Sequence, residues 1–367
     1  MTVPTFTVRE TVAQPASNPL GLLRLDHIQV CGPMAHLEAR FRKLGFARIG
    51  SSRDAKGALH HLRQNRIDLL LGDTDESTPC GRYAAAHGAG VNALAFEVED
   101  VERALQAAAD RGAEVRMQPQ CWQFDGGALW LAAIQGFGDV WNLFVRREGD
   151  APFLPGLDPD PLPADCNPRL LRVDHLTNNV GVGEMDRWVE FYERVYGFSV
   201  VREFHIRGAL GTGLTSKVVQ SANGRVIIPI NEPTDAKSQI QEFVDRHRGP
   251  GVQHVAMATA DIMETLPTLR DEGFRFLSNP STYYEMLPGR IAAGGYRVSE
   301  DLARVQELGI LIDGDATGYL LQIFTEDQFG PLFFEIIQRK GNRGFGEGNF
   351  KALYDSIELD QRQRGVI

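Results

Sequence analysis

Apolar positions in this chain recur in short runs broken by turns, the pattern of strands packed with a few helices. Leu22-Leu23-Arg24-Leu25-Asp26-His27-Ile28 is one such run, and Leu170-Leu171-Arg172-Val173-Asp174-His175-Leu176 echoes it. A second pair follows. Gly90-Val91-Asn92-Ala93-Leu94-Ala95-Phe96 matches Gly251-Val252-Gln253-His254-Val255-Ala256-Met257, each leading through an acidic turn into a helical run, Val101 to Arg111 and Ile262 to Glu272. Both helical runs stop at a glycine, Gly112 and Gly273, as helix C-termini often do. The chain therefore reads as a duplication, with a strand, helix, strand, strand order recurring twice per half.

Between Asp150 and Pro168, prolines at 152, 155, 159, 161, 163 and 168 exclude regular helix or a central strand. The expected organisation is an extension over 1–20, a first half over 21–149, a linker over 150–168 and a second half over 169–367. Near the C-terminus, Gly344, Gly346 and Gly348 precede a run in which Phe350, Leu353, Tyr354 and Ile357 recur at i, i+3, i+4 and i+7. That spacing predicts a helix over about 348–363 with one face on the body. It is either an ordinary docked helix or a lid hinged on the glycines.

Three polar residues interrupt apolar strands of the second half: His175, His254, and Glu335 in Phe333-Phe334-Glu335-Ile336-Ile337-Gln338-Arg339. A buried carboxylate left unpaired costs several kcal/mol, so Glu335 requires a cation. The candidates are a metal, or an internal salt bridge to Arg339 or Arg172. His175 taken alone could equally be a core histidine bonded to Asp174. Together, two imidazoles and one carboxylate on three strands form a facial triad suited to Fe(II), and equally to a catalytic zinc. In the first half, Ala93 stands where His254 would be, and Asn142 is the expected match for Glu335, so that half is expected to hold no metal. Asn231 in Ile227-Ile228-Pro229-Ile230-Asn231-Glu232-Pro233, Gln239 at the start of a helix, and Gln322 in Leu320-Leu321-Gln322-Ile323-Phe324 are amides that would hydrogen-bond a polar ligand or satisfy stray backbone groups.

The composition narrows the partner. With 367 residues, 43% hydrophobic and 23% charged, the chain can bury two ordinary cores. A net charge of −10 argues against nucleic acid or an anionic membrane and for a small molecule. Cys31, Cys80, Cys121 and Cys166 lie far apart with no CxxC pair, and are read as reduced thiols of a cytoplasmic protein. The N-terminus shows no apolar signal core, and no stretch approaches the roughly 18 apolar residues of a membrane span.

The strings VDHLTNNV (173–180), GLTSK (213–217), IPINEP (228–233), SQIQEF (238–243), GVQHVA (251–256), LLQIFT (320–325), FFEIIQRKG (333–341) and GFGEGNFKALYDSIE (344–358) resemble the 4-hydroxyphenylpyruvate dioxygenase family of the vicinal oxygen chelate superfamily. The resemblance covers nearly the whole chain and is weaker in the first half. It implies an α+β fold of tandem βαβββ modules, two per half, each half curling into an open barrel. By matched motif it implies one Fe(II) per chain on His175, His254 and Glu335. It also implies a pocket whose polar end is shaped by Ser216, Asn231, Gln239 and Gln253. Pro229, Gln322, Phe324, Phe333, Phe345 and Phe350 would contact substrate, an aromatic 2-oxo acid, with dioxygen as co-substrate. The implied reaction is oxidative decarboxylation, ring hydroxylation and side-chain migration to homogentisate, in tyrosine and phenylalanine catabolism, by a homo-oligomer (dimer or tetramer). The sister enzyme 4-hydroxymandelate synthase typically lacks the Pro and Asn of IPINEP and has an aliphatic residue in place of Phe350, whereas this chain keeps all three. Other readings are an extradiol catechol dioxygenase and a metal-free small-molecule binding protein.

Overall fold

The computed structural model describes residues 5–10, 17–54, 57–161, 168–207 and 213–353. Two nine-stranded sheets share one strand order. The first runs Asp158–Pro159, Ala47–Asp54, Gly57–Gln64, Ile67–Gly72, Leu22–Cys31, Gly90–Val98, Trp141–Gly149, Gly127–Gln135, Val115–Phe124. The second runs Thr5–Glu10, Ser199–Arg207, Gly213–Gln220, Ile227–Pro233, Leu170–Asn179, Gly251–Thr259, Phe333–Lys340, Gly318–Phe324, Leu311–Asp315. In each sheet the two central strands are antiparallel to one another, and each has a parallel outer neighbour. Parallel neighbours need a crossover. Helices Met34–Lys43, Val101–Asp110, Met185–Phe191 and Ile262–Asp271 begin the four crossovers, so each half is a pair of βαβββ modules in a curled sheet, the expected α+β class.

Local chemistry sets the helix ends. The carboxylates of Asp100 and Asp261 accept backbone N–H bonds from Arg103 and from Met263 and Glu264, capping the matched helices. Gly112 and Gly273 close them at φ +83° and +85°, a conformation that a side chain would strain. The central strands Gly90–Val98 and Gly251–Thr259 are covered on both faces, which is why they read as nearly unbroken apolar runs.

Register aligns the two halves residue by residue. His175 lies opposite Ala256, which pairs with Glu335; His27 lies opposite Ala95, which pairs with Leu143. The counterpart of Glu335 is therefore Leu143, not Asn142 as the sequence suggested. A shift of one residue on a strand reverses the face. Asn142 is fully buried on the other face, where its amide donates to the Tyr196 hydroxyl at 2.6 Å. Ala93 does occupy the place of His254, since Ala93 pairs with Trp141 as His254 pairs with Phe333.

Two segments act away from their expected places. Thr5–Glu10, within the expected N-terminal extension, adds an edge strand to the second sheet, antiparallel to Ser199–Arg207. Asp158–Pro159 of the proline-rich linker forms a short edge pairing with Gly50 and Ser51, a position where proline is tolerated.

The main apolar core is continuous between the halves, with Tyr196 of the second packed 5.6 Å from Phe96 of the first. The sheet interiors hold separate clusters. Leu70, Ala95, Leu129, Leu131 and Val145 fill the first together with Phe153, Leu154 and Leu157 of the linker. Phe204, Ile206, Leu214, Val218 and Ile240 line the second with Phe345 and Phe350.

Cys31 and Cys80 are joined by a disulfide, their Cα atoms 5.4 Å apart, which corrects the expectation of reduced thiols at these two positions. A separation of 49 residues hides the pairing in the sequence; folding brings the end of strand Leu22–Cys31 against helix Pro79–His87. Cys121 is free and exposed, and Cys166 lies outside the described residues. No helix among the described residues is long and apolar enough to cross a membrane. The expected C-terminal helix begins at 347 and is described to 353; Tyr354 and Ile357 lie outside the described residues.

Candidate active site

Three neighbouring strands, Leu170–Asn179, Gly251–Thr259 and Phe333–Lys340, bring His175, His254 and Glu335 together, with one ligand atom from each all within 4.8 Å of one another. All three side chains are buried. The Nε2 atoms of His175 and His254 lie 3.2 and 3.4 Å from the same carboxylate oxygen, Glu335 Oε2. The opposite ring nitrogens are held from behind: His175 Nδ1 is 3.0 Å from Asp174 Oδ1, and His254 Nδ1 is 3.0 Å from Gln253 Oε1. Such backing fixes ring orientation and points both Nε2 atoms inward.

Burial disfavours charge on His175, but Glu335 and Asp174 outweigh it and raise its pKa to about 9. Burial likewise pushes the Glu335 carboxyl up, yet the two imidazoles overcome this and bring it down to about 2. For His254 burial dominates, and its pKa is lowered. The carboxylate is thus ionised inside the protein, with Oε1 lacking any hydrogen-bond partner among the described residues. A divalent metal fits these residues, since it would engage the unpartnered oxygen and both inward imidazole nitrogens at once. The salt-bridge alternative fails. Arg339 and Arg172 both bond Asp174, at 2.6 and 3.2 Å, and leave Glu335 to the histidines.

The cluster lines the inner end of a pocket. Ser216 and Asn231, paired across neighbouring strands, give it a polar wall with Pro229, while Phe324, Phe345 and Phe350 give it an aromatic one. Asn231 donates to Asn179 Oδ1 at 3.2 Å, which aims its amide. Phe345 meets His175 edge to face, ring centres 5.5 Å apart.

Four expected pocket residues do not line it. Gln239 is exposed in the first turn of helix Gln239–His247, whose N-terminus Ser238 caps, so its side chain leaves the site. Gln253 orients His254 from behind. Phe333 stacks on the His254 ring at 4.9 Å. Gln322 is buried with its amide packed against Gly346, its Oε1 unpartnered among the described residues; a Cβ at Gly346 would collide with it.

Sequence reading missed Thr177, Phe204, Ile206, Leu214 and Glu347, which also line the pocket. Strand alternation could have found two of them, since Thr177 lies two residues after His175 and Leu214 two before Ser216. Glu347 carried no local signal, because its ion pair with Arg202 joins segments far apart in the chain.

The comparisons agree with this geometry. The family model for the N-terminal part of hydroxyphenylpyruvate dioxygenase matches residues 16–158, and the glyoxalase/bleomycin resistance protein/dioxygenase superfamily model matches 172–286. A 4-hydroxyphenylpyruvate dioxygenase of Pseudomonas aeruginosa is 40% identical, over 95% of this chain and 97% of that one. Hemolysin VllY of Vibrio vulnificus is 41% identical over 96% and 98%. Among solved structures, a triple mutant of 4-hydroxymandelate synthase from Streptomyces coelicolor superposes with a TM-score of 0.78 at 29% identity, covering 95% of this chain and all of its own. The chain belongs to the 4-hydroxyphenylpyruvate dioxygenase family.

Proposed function

We propose that this chain is a ferrous enzyme converting 4-hydroxyphenylpyruvate and dioxygen to homogentisate and CO2. The observation that carries the reading is the buried His175, His254 and Glu335 cluster facing a pocket that is polar on one wall and aromatic on the other. When bound, Fe(II) supplies the coordination of the 2-oxo acid and the reaction with dioxygen. The chain supplies the rest.

Ser216 and Asn231 hydrogen-bond polar groups of the substrate, and Pro229, with no N–H to donate, shapes the strand that carries Asn231. Phe324, Phe345 and Phe350 hold the aromatic ring and exclude water. Gln253 and Phe333 fix the His254 ring. Gln322, whose buried amide packs against Gly346 of the loop that carries Phe345, keeps an unpartnered oxygen for a polar group of the substrate. Pro229, Asn231 and Phe350 together favour ring hydroxylation over the mandelate-forming alternative. Assembly as a dimer or tetramer and a cytoplasmic location belong to the same proposal and rest on family resemblance.

The test is product identification by chromatography after mixing protein, Fe(II), ascorbate, 4-hydroxyphenylpyruvate and air. Homogentisate is the expected product. 4-Hydroxymandelate would overturn the roles given to Pro229, Asn231 and Phe350, and oxygen uptake with catechols alone would place the chain among extradiol enzymes.

A further inference from the structure

A buried circuit links the triad to the loop before the C-terminal helix. Asp174 receives His175 Nδ1 at 3.0 Å, and Arg339 Nη2 and Nε at 2.6 and 2.9 Å. The remaining edge of the same guanidinium donates from Nη1 to the carbonyls of Gly344, at 2.6 Å, and Asn342, at 3.3 Å. Its central carbon lies 5.8 Å from the ring centre of Phe345, whose edge rests on His175. Histidine, carboxylate, guanidinium, loop and phenyl ring thus form a closed loop of contacts.

The first half keeps this circuit without the triad. Asp26 receives His27 Nδ1 at 2.7 Å and Arg147 at 2.7 and 3.1 Å. Arg147 Nε donates to the carbonyl of Phe153 at 3.0 Å, its guanidinium carbon is 4.5 Å from the Phe153 ring centre, and that ring is 5.0 Å from His27. The spacing is conserved within the chain, since Phe153 follows Arg147 by six residues as Phe345 follows Arg339. In the first half the held segment fills the interior, with Phe153 stacked on His61 at 3.6 Å. In the second half the held segment is a pocket wall. The circuit's own work is therefore to fasten the segment after the last strand over the histidine.

We propose that Arg339 is a positioning residue that fastens loop 342–348 to the metal-binding His175 through Asp174, so that metal occupancy and closure of the pocket wall are coupled. Arginine is required because one planar fork serves the carboxylate on one edge and two carbonyls on the other, which a lysine ammonium cannot do. The inference rests on the iron-site reading above, but its test does not depend on turnover.

The experiment is amide hydrogen exchange on the full chain under anaerobic conditions, with and without Fe(II), for wild type, Arg339→Lys and Arg147→Lys, alongside Fe(II) titration. In wild type, Fe(II) is expected to slow exchange across 342–350 and leave 151–157 unchanged. Arg339→Lys is expected to abolish that slowing and weaken Fe(II) binding roughly 10–100-fold, as loss of other outer contacts to metal ligands does. Arg147→Lys, the same chemical change in the metal-free half, is expected to speed exchange at 151–157 while leaving Fe(II) affinity and loop 342–350 as in wild type. An unresponsive loop in iron-loaded wild type, or Arg339→Lys with wild-type affinity and iron-dependent slowing, overturns the proposal. If Arg339→Lys does not fold, the wild-type arm decides alone. Wild type that neither binds Fe(II) nor forms homogentisate sinks the functional reading; wild type that does both with an unresponsive loop sinks only this inference.

Discussion

Laid strand on strand, the two barrels differ at the positions that face inward. Leu143 stands where the second has Glu335, and Ala93 where it has His254. Asn179 pairs with Asn231 as Cys31 pairs with Gly72, and Ser216 lies opposite Asn231 as Leu59 lies opposite Gly72. The polar wall Ser216 and Asn231 thus corresponds to Leu59 and Gly72, and Asn179 corresponds to a disulfide cysteine. Asp313, opposite Leu320, corresponds to Trp122, opposite Leu129. Removing the polar groups lets the first interior close on apolar side chains, with Phe153 and Leu154 of the linker pushed in. Keeping them leaves the second with a buried carboxylate that wants a cation, and with room beside it. One scaffold therefore serves as a packed support or as a reaction vessel, according to a few inward positions.

The sharpest break of this comparison is at the triad. His254→Ala or Glu335→Ala is expected to abolish retention of iron and reduce homogentisate formation by orders of magnitude, measured by metal analysis and product assay. Leu143→Ala, at the place of Glu335, is expected to cost on the order of 2 kcal/mol of stability and leave iron content unchanged. Next in size is the disulfide, present only in the first half among the described residues. Closing a loop of this length stabilises by about 4 kcal/mol in the chain-entropy picture, so Cys31→Ser with Cys80→Ser should lower the denaturation midpoint without changing iron stoichiometry.

Phe153→Ala should remove roughly 3 kcal/mol, because it empties the plug between His27 and His61, while turnover by the remaining folded protein persists. Phe345→Ala should do the reverse, impairing turnover more than melting temperature. The smallest effect concerns Asp313, which accepts from the Gly348 N–H at the start of the C-terminal helix. Burial, reinforced by Glu347, pushes its carboxyl up from 3.8 to about 6. A raised folded-state pKa means that the group's contribution is full below about pH 3.8 and is lost as pH rises through 6. Asp313→Asn should therefore match wild type at low pH and gain on the order of 1–2 kcal/mol above pH 6, read from thermal melts between pH 4 and 8. No gain at pH 8 would show that the contact with Arg290, at 3.5 Å, outweighs burial.

Much of the site was legible because the chain contains its own comparison. The repeated Asp-His pairs, Asp26-His27 and Asp174-His175, marked equivalent strands, and the absence of a histidine at Ala93 singled out His254. Glu335 stood out as a charge in an apolar run. What failed was whatever depended on partners distant in sequence. Arg339, four residues from Glu335 on the same strand, turned to Asp174 on another.

The sequence pattern by itself determined the duplicated strand, helix, strand, strand order, the glycine ends of the matched helices and the three candidate ligands of the second half, because side-chain alternation and helix stops are properties of neighbouring residues; the βαβββ modules came from the family resemblance. Tertiary structure alone decided that Leu143 and not Asn142 is the counterpart of Glu335, that Cys31 meets Cys80, and that Phe153 seals one barrel while Phe345 walls the other. Those outcomes depend on register between strands that are far apart in the chain, and a shift of one residue there exchanges the two faces of the sheet.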